Sequence, residues 1–180
     1  NDGLLDIFVV NEDAAHRLYH NNGDSTFTDR ASSAGLTGST GAVGCAWSDW
    51  DGDGDRDVYV VYYGSANRLY RNNGDGTFSD VTSSSGTAAG VDNVSAAWFD
   101  YDNDNRPDLY VVEQTEDRLF RNNGDGTFSE KNLSSLGFGS TADGFCALWG
   151  DFDNDSLADL FKSRGETGGP DLNLFIRGKS

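Results

Sequence analysis

Aspartate recurs in this chain at four places of a nine-residue pattern, and the pattern occurs three times. Asp49, Asp51, Asp53 and Asp57 form the first loop, Asp100, Asp102, Asp104 and Asp108 the second, and Asp151, Asp153, Asp155 and Asp159 the third. Alternate residues of a tightly curled loop can aim their carboxylates at one centre. Brought together without a cation, four carboxylates repel one another strongly. The chemistry that suits them is a hard cation taking six to eight oxygens at roughly 2.3–2.6 Å, which is calcium. Position 7 varies in side chain (Asp55, Arg106, Leu157), so it is expected to give a backbone carbonyl. Position 6 turns the chain. Gly54 and Asn105 suit a left-handed backbone there, and Ser156 fits it less easily. A fourth loop is partial: Asp2, Leu4 and Asp6 align with positions 5, 7 and 9.

Other cations fit less well. Position 12 holds Val60, Val111 or Lys162, where an EF-hand needs a bidentate Glu, and strands rather than helices flank the loops. Magnesium prefers a water-rich octahedron to an all-protein cage. Zinc would want His and Cys ligands that the loops lack. Merely solvated acidic turns would not keep four carboxylates at fixed spacing three times over. The expectation is three full calcium sites and a fourth partial one.

The loops are held by a repeat. Asp6, Asp57, Asp108 and Asp159 stand 51 residues apart, as do Trp47, Trp98 and Trp149. Each unit reads as four short strands. Strand one is small and apolar (Gly44-Cys45-Ala46-Trp47), as suits a crowded position near an axis. The acidic loop follows. Strand two is β-branched and aromatic (Asp57-Val58-Tyr59-Val60-Val61), and strand three alternates (Arg68-Leu69-Tyr70-Arg71). Asn72-Asn73-Gly74-Asp75-Gly76 is a tight hairpin turn, and strand four is Thr77-Phe78-Ser79-Asp80-Val81. Four antiparallel strands per ~40–50 residues is a blade of a β-propeller. The fold class is therefore all-β, with repeats at about 1–36, 41–84, 92–136 and 143–180. The repeating Trp and Phe are expected to pack blade on blade. In the last repeat Leu174 takes the place of Leu69, after a longer link between strands two and three.

Bulk properties agree. There are 30 acidic and 13 basic residues, a formal charge of −17, with 23 Gly and 2 Pro. Such a charge repels nucleic acid and anionic membranes, and no stretch approaches the ~18 apolar residues that span a bilayer. Cys45 and Cys146 read as two buried free thiols. The chain opens Asn1-Asp2-Gly3 and holds no Met, so it is expected to be processed or a piece of something longer. The strand count gives fourteen strands, three and a half blades, hence an open arc or blades completed by another chain.

The loops together with Asn67-Arg68-Leu69-Tyr70-Arg71-Asn72-Asn73-Gly74-Asp75-Gly76-Thr77-Phe78 closely resemble the FG-GAP/VCBS repeats of integrin-α-like propellers. Their nearest look is to the ASPIC/UnbV, cartilage-acidic-protein type. The resemblance covers essentially the whole chain. It implies an extracellular, calcium-stabilised propeller, secreted or at the cell surface, acting in adhesion, recognition or surface and matrix assembly. Its partner would be a protein or glycan ligand, or further copies or segments completing the propeller. The alternative it implies is a lectin-like propeller, or a non-catalytic part of a polysaccharide-acting enzyme. The family's ligands carry over to Asp49, Asp51, Asp53, Asp57 and their counterparts. No catalytic residue carries over.

The residues themselves point away from catalysis. His16 and His20 stand where other repeats carry Asn67 or Asp117 and Arg71 or Arg121, so they read as surface variation. The Ser-rich patches have no paired base. Segments 34–41, 86–93 and 137–143, which join strand four to the next strand one, differ among repeats and are candidate recognition loops. Asn93, Asn132 and Asn154 begin Asn-x-Ser/Thr sequons, the last inside a metal loop.

Overall fold

The computed structural model describes residues 2–138, 144–164 and 174–176. Fourteen strands lie there in four antiparallel sheets, each made of strands consecutive in the chain. Blade one holds β1 (Ile7–Val9), β2 (Arg17–Asn21) and β3 (Phe27–Asp29). Blade two holds β4 (Ala42–Ser48), β5 (Asp57–Tyr62), β6 (Arg68–Asn72) and β7 (Phe78–Asp80). Blade three holds β8 (Asn93–Phe99), β9 (Asp108–Glu113), β10 (Arg118–Asn122) and β11 (Phe128–Lys131). Blade four holds β12 (Gly144–Gly150), β13 (Asp159–Arg164) and β14 (Leu174–Ile176). Each sheet is a meander, as the repeat predicts, and the architecture is that of propeller blades.

In blades two and three strand two is the most buried element. Every residue of β5 and β9 is buried. Alternation along the strand explains why. Val58, Val60 and Tyr62 pack toward Phe8 and Leu18 of blade one, while Tyr59 and Val61 join Leu109, Val111 and Phe120 of blade three. Tyr110, Val112 and Leu119 in turn meet Ala147 and Leu160 of blade four. Both faces of one strand thus form inter-blade core, worth about 1.5–3 kcal/mol for each large apolar side chain removed from water.

The small residues of strand one have a different purpose from the crowding expected. Strand one is only partly covered: Val43 is 42% and Trp47 37% exposed. Its small side chains let the next blade's Trp approach the backbone, and the Trp98 indole N–H donates to the Ala46 carbonyl at 3.2 Å. Trp98 also meets Tyr59 edge-on at 6.4 Å, and Trp149 stacks on Phe99 at 3.7 Å. The repeating Trp residues do pack blade on blade.

Several expectations need correction. Segments 34–41 and 86–93 are partly inter-blade packing, since Leu36 and Thr87 are fully buried and Ala89 joins the core, while Thr37, Ser39, Thr40, Ala88 and Val91 stay exposed. Short helical turns, α1 (Thr82–Ser85) and a 3₁₀ turn (Leu133–Leu136), follow strand four and end at Gly86 and Gly137, with φ of 78° and 87°. In β14, Leu174 pairs with Lys162 as Arg68 pairs with Val60. Leu174 therefore stands at the Arg68 position rather than that of Leu69, and the link is longer by four residues. The cysteines are free, with Cys45 half-buried and Cys146 exposed. Residues 139–143 of the third link lie outside the described residues.

Candidate metal centre

Each acidic loop leaves strand one and returns into strand two, so a sheet edge fixes both of its ends. Between them the chain curls through two left-handed residues. Position 6 is left-handed in all three loops (Gly54 φ 93°, Asn105 63°, Ser156 68°), and position 4 is as well (Gly52 75°, Asn103 58°, Asn154 61°). Ser156 therefore adopts the conformation its type disfavours. The sequence reading had missed the turn at position 4, although Gly-Asn-Asn at that place carries the signal.

The curl is held by the aspartates themselves. The position 1 carboxylate accepts the position 6 N–H in every loop: Gly54 to Asp49 at 3.1 Å, Asn105 to Asp100 at 2.8 Å, Ser156 to Asp151 at 3.0 Å. Position 5 accepts the N–H of position 7: Asp55 to Asp53 at 2.9 Å, Arg106 to Asp104 at 3.1 Å, Leu157 to Asp155 at 2.8 Å. Position 9 accepts the N–H of position 2, from Trp50, Tyr101 and Phe152. Asp57 and Asp108 also accept a strand-three N–H, from Asn72 at 2.8 Å and Asn122 at 2.7 Å. Position 9 is thus a buried anchor between loop and sheet as well as a candidate ligand. Burial, and behind it the neighbouring carboxylates, push the Asp57 carboxyl up to about 7. Burial likewise pushes Asp108 up to about 6.

Three carboxylate oxygens converge within 4.8 Å in each loop: from Asp49, Asp51 and Asp53; from Asp100, Asp102 and Asp108; and from Asp151, Asp153 and Asp159. The expected four-Asp set is therefore brought together three at a time. Asp57, Asp104 and Asp155 stand outside these triads. Oδ1 of Asp49 is buried and has no hydrogen-bond partner among the described residues. A buried carboxylate oxygen without a donor is costly unless a cation meets it. The donor set is all oxygen, so the loops fit a hard metal ion.

Position 7 side chains lean on the blade's own hairpin. A Cβ at Gly74 would stand 2.8 Å from Asp55 Oδ2, and one at Gly124 3.1 Å from Arg106 Cδ. The partial loop behaves differently. Asp2 accepts the Leu4 N–H at 3.0 Å and Asp6 the Asn21 N–H at 2.8 Å. No carboxylate triad forms there among the described residues.

Three sets of residues escaped the sequence reading. The first Asn of the hairpin motif ties the turn to the acidic loop. Asn21, Asn72 and Asn122 donate to the carbonyls of Leu5, Arg56 and Pro107, and accept the N–H of Gly23, Gly74 and Gly124. Its threefold recurrence is legible in the sequence, but turn conformation alone accounts for an Asn there, so its tie to the acidic loop is not. The second set is the strand-three base. Arg121 reaches Asp102 at 2.6 Å and Asp104 at 2.7 Å. His20 lies 3.2 Å from Asp6. The third is His16, which is a seam residue and not surface variation. It is 2% exposed, its Nε2 meets the Tyr62 hydroxyl at 2.8 Å, and its Nδ1 accepts the Asn11 N–H at 3.4 Å. Of the sequons, Asn93 is buried and donates to the Tyr62 carbonyl.

Known proteins resemble this chain. A family profile described as FG-GAP-like repeat matches residues 1–60, 49–111 and 100–161. Cartilage acidic protein 1 of Mus musculus is 32% identical over 183 residues, covering 94% of this chain and 28% of that protein. The Homo sapiens protein of that name is 31% identical, over 94% of this chain and 27% of its own length. The Xenopus tropicalis protein is 30% identical, over 97% and 29%. The chain thus spans less than a third of each of these relatives. Among solved structures, an Agrocybe aegerita lectin described for recognition of non-reducing terminal N-acetylglucosamine superposes with a TM-score of 0.53 at 20% identity. That match covers 88% of this chain and 43% of the lectin, and it is a likeness of fold.

Proposed function

The chain belongs to the FG-GAP-like repeat family, and from that premise we propose that it is an extracellular β-propeller repeat module whose acidic loops bind calcium as a structural ion. Its role would be adhesion, recognition or assembly at a surface or in a matrix, without catalysis of its own. The observation that carries this is the recurrence of a converging carboxylate triad in all three full loops, one of them with a buried, unpartnered oxygen. Each loop is seated between strands one and two of its blade, so an ion there would fasten those two strands together at one end. Asp49, Asp51 and Asp53 would hold it in loop one, Asp100, Asp102 and Asp108 in loop two, and Asp151, Asp153 and Asp159 in loop three. No helix among the described residues is long and apolar enough to cross a membrane.

The test is thermal melting in chelator, then with calcium or magnesium returned. An ion that binds only the native state stabilises it by mass action. The melting temperature is expected to fall markedly in chelator and to recover with calcium but poorly with magnesium. An unchanged melt in chelator ends the proposal.

A second reading, glycan recognition, is favoured by one observation beyond the lectin-like fold. A cleft of about 350 Å³ lies between loop one and blade three, lined by Trp50, Asp51, Arg106, Pro107 and Asn122 among others. Trp50 is buried there, so the cleft's polar groups rather than its ring would meet a sugar. A glycan array run with and without calcium separates the two readings.

A further inference from the structure

Loops one and two carry the same Asp at positions 1, 3, 5 and 9 but not the same counter-charge. At one place in strand three, three blades present a base toward their own acidic loop: His20, Arg71 and Arg121. In blade three the contact is closed. The Arg121 guanidinium bonds Asp102 at 2.6 Å and Asp104 at 2.7 Å, and Arg106 also pairs with Asp104. The three side chains are 29%, 25% and 18% exposed for Arg121, Asp102 and Asp104, so solvent screens these contacts only in part. In blade two Arg71 is exposed and bonds no loop carboxylate among the described residues, although its charge acts on Asp51. Asp102 belongs to the converging triad of loop two, and Asp104 is turned away from that triad onto the two guanidinium groups.

We propose that Arg121 is a tethered counter-cation of loop two, competing with calcium for Asp102 and Asp104, so that loop two binds the ion more weakly than loop one but depends on it less for its shape. The inference rests on the calcium reading of the loops. A guanidinium spanning two carboxylates satisfies them as a divalent ion would, and it is always charged. An entering ion must displace it or accept its repulsion. Loop one offers no such competitor, and its Asp49 oxygen is left without a donor.

The experiment isolates loop two by silencing the other loops with Asp51→Asn and Asp153→Asn. Calcium is then titrated calorimetrically into this background with and without Arg121→Gln, and both are melted in chelator. Arg121→Gln is expected to tighten loop two by about tenfold, a change of about 1.4 kcal/mol. It should also lower the melting temperature in chelator by a few degrees, since relieving one cation leaves two carboxylates facing each other. Arg71→Gln, made in a background where loop one is the intact loop, should shift affinity by less than threefold. Unchanged or weaker binding with Arg121→Gln overturns the inference while leaving the calcium reading intact. Absence of calcium binding in the unmodified chain overturns both. If Arg121→Gln does not fold without the ion, Arg121→Lys keeps the charge and loses the two-carboxylate span. An affinity tighter than the parent's then supports the competition, and one equal to or weaker than the parent's sinks it.

Discussion

Blade two and blade three follow the same backbone and answer the same local demands with different charges. In blade two the strand-two end is Tyr62, whose hydroxyl meets the neutral His16 ring, and the following turn carries Asn67, which accepts the Tyr62 N–H at 2.8 Å. Blade three has Glu113 and Asp117 at those places. Asp117 accepts the Glu113 N–H at 3.0 Å, so the backbone demand is met identically, but each acid then needs a cation. Arg118 serves Glu113 at 2.8 Å, and the buried Lys162 of blade four serves Asp117. Loop two follows suit with Arg106 and Arg121. The backbone of the repeat fixes where a hydrogen-bond acceptor must stand, and it leaves open whether that acceptor is neutral or ionised. Among these ionised acceptors Asp117 reaches across the seam to Lys162 of blade four, while Glu113, Asp102 and Asp104 find their cations within blade three.

The sharpest way to break that comparison is at Lys162, which occupies the place of Val60 and Val111. Restoring the repeat's own residue with Lys162→Val leaves the fully buried Asp117 without its ammonium, and should cost about 3–5 kcal/mol by chemical denaturation. Adding Asp117→Asn, the residue blade two uses, should recover most of the loss. If the double variant is no better than the single one, the charged seam is not interchangeable with the neutral one.

Next in size are Asp57→Ala and Asp108→Ala. Each removes a buried acceptor of two backbone N–H groups, Trp50 and Asn72 or Tyr101 and Asn122. Leaving two buried donors unmet costs about 3 kcal/mol. Because this anchor is common to both blades, the two losses measured in chelator should agree to within about 1 kcal/mol. A much larger loss in one blade would show that the shared frame is not equally shared.

A smaller difference separates the two hairpin asparagines. Asn122 is 1% exposed and donates to Trp50 of the preceding blade at 2.8 Å as well as to Pro107 at 3.1 Å. Asn72 donates only within its own blade, to Arg56 at 3.1 Å. Asn122→Ala should cost about 2 kcal/mol and Asn72→Ala about 1 kcal/mol. Equal values would mean that the inter-blade bond to Trp50 adds nothing.

Much of this was legible in the sequence because it repeats. The acidic loops, the Trp spacing, the hairpin and the strand count all occur several times, so each copy supports the others. Repetition does not reveal contacts, as the hairpin Asn shows, and residues that occur once are the hardest to read. Nothing in the type or neighbours of His16 or Lys162 marks them as buried, since burial there is decided by the facing blade through Tyr62 or Asp117. The packed state of segments 34–41 and 86–93 was hidden for a related reason. Their Gly, Ser and Thr content reads as loop, while a single Leu36 or Ala89 dropped into a ready-made gap decides their burial. The misplacement of β14 by one residue came from matching Leu to Leu across a longer link, where backbone register rather than residue type sets the pairing.

A pH slope bears on the anchors of both loops. Asp57 and Asp108 have carboxyl groups raised by burial to about 7 and about 6, above the ordinary value of 3.8. A carboxyl raised on folding favours the native state while it is protonated. That contribution is fully present below about pH 4 and is lost as pH rises through 6 and 7. In chelator, stability should therefore fall between pH 5 and pH 7.5, by up to about 1.4 kcal/mol per pH unit for each group. The carboxylates held low by their hydrogen bonds, such as Asp75 and Asp125 with Thr77 and Thr127, are already ionised across this window and add no slope. Calcium should reverse the sign, because the ion binds the deprotonated carboxylates and its affinity rises with pH. Asp57→Asn should remove the slope in chelator between about pH 6 and 7 and halve it below pH 6, where Asp108 also contributes. Melting curves at four pH values, with and without calcium, read both trends. A slope in chelator that survives both Asp57→Asn and Asp108→Asn would place the titrating groups elsewhere in the chain.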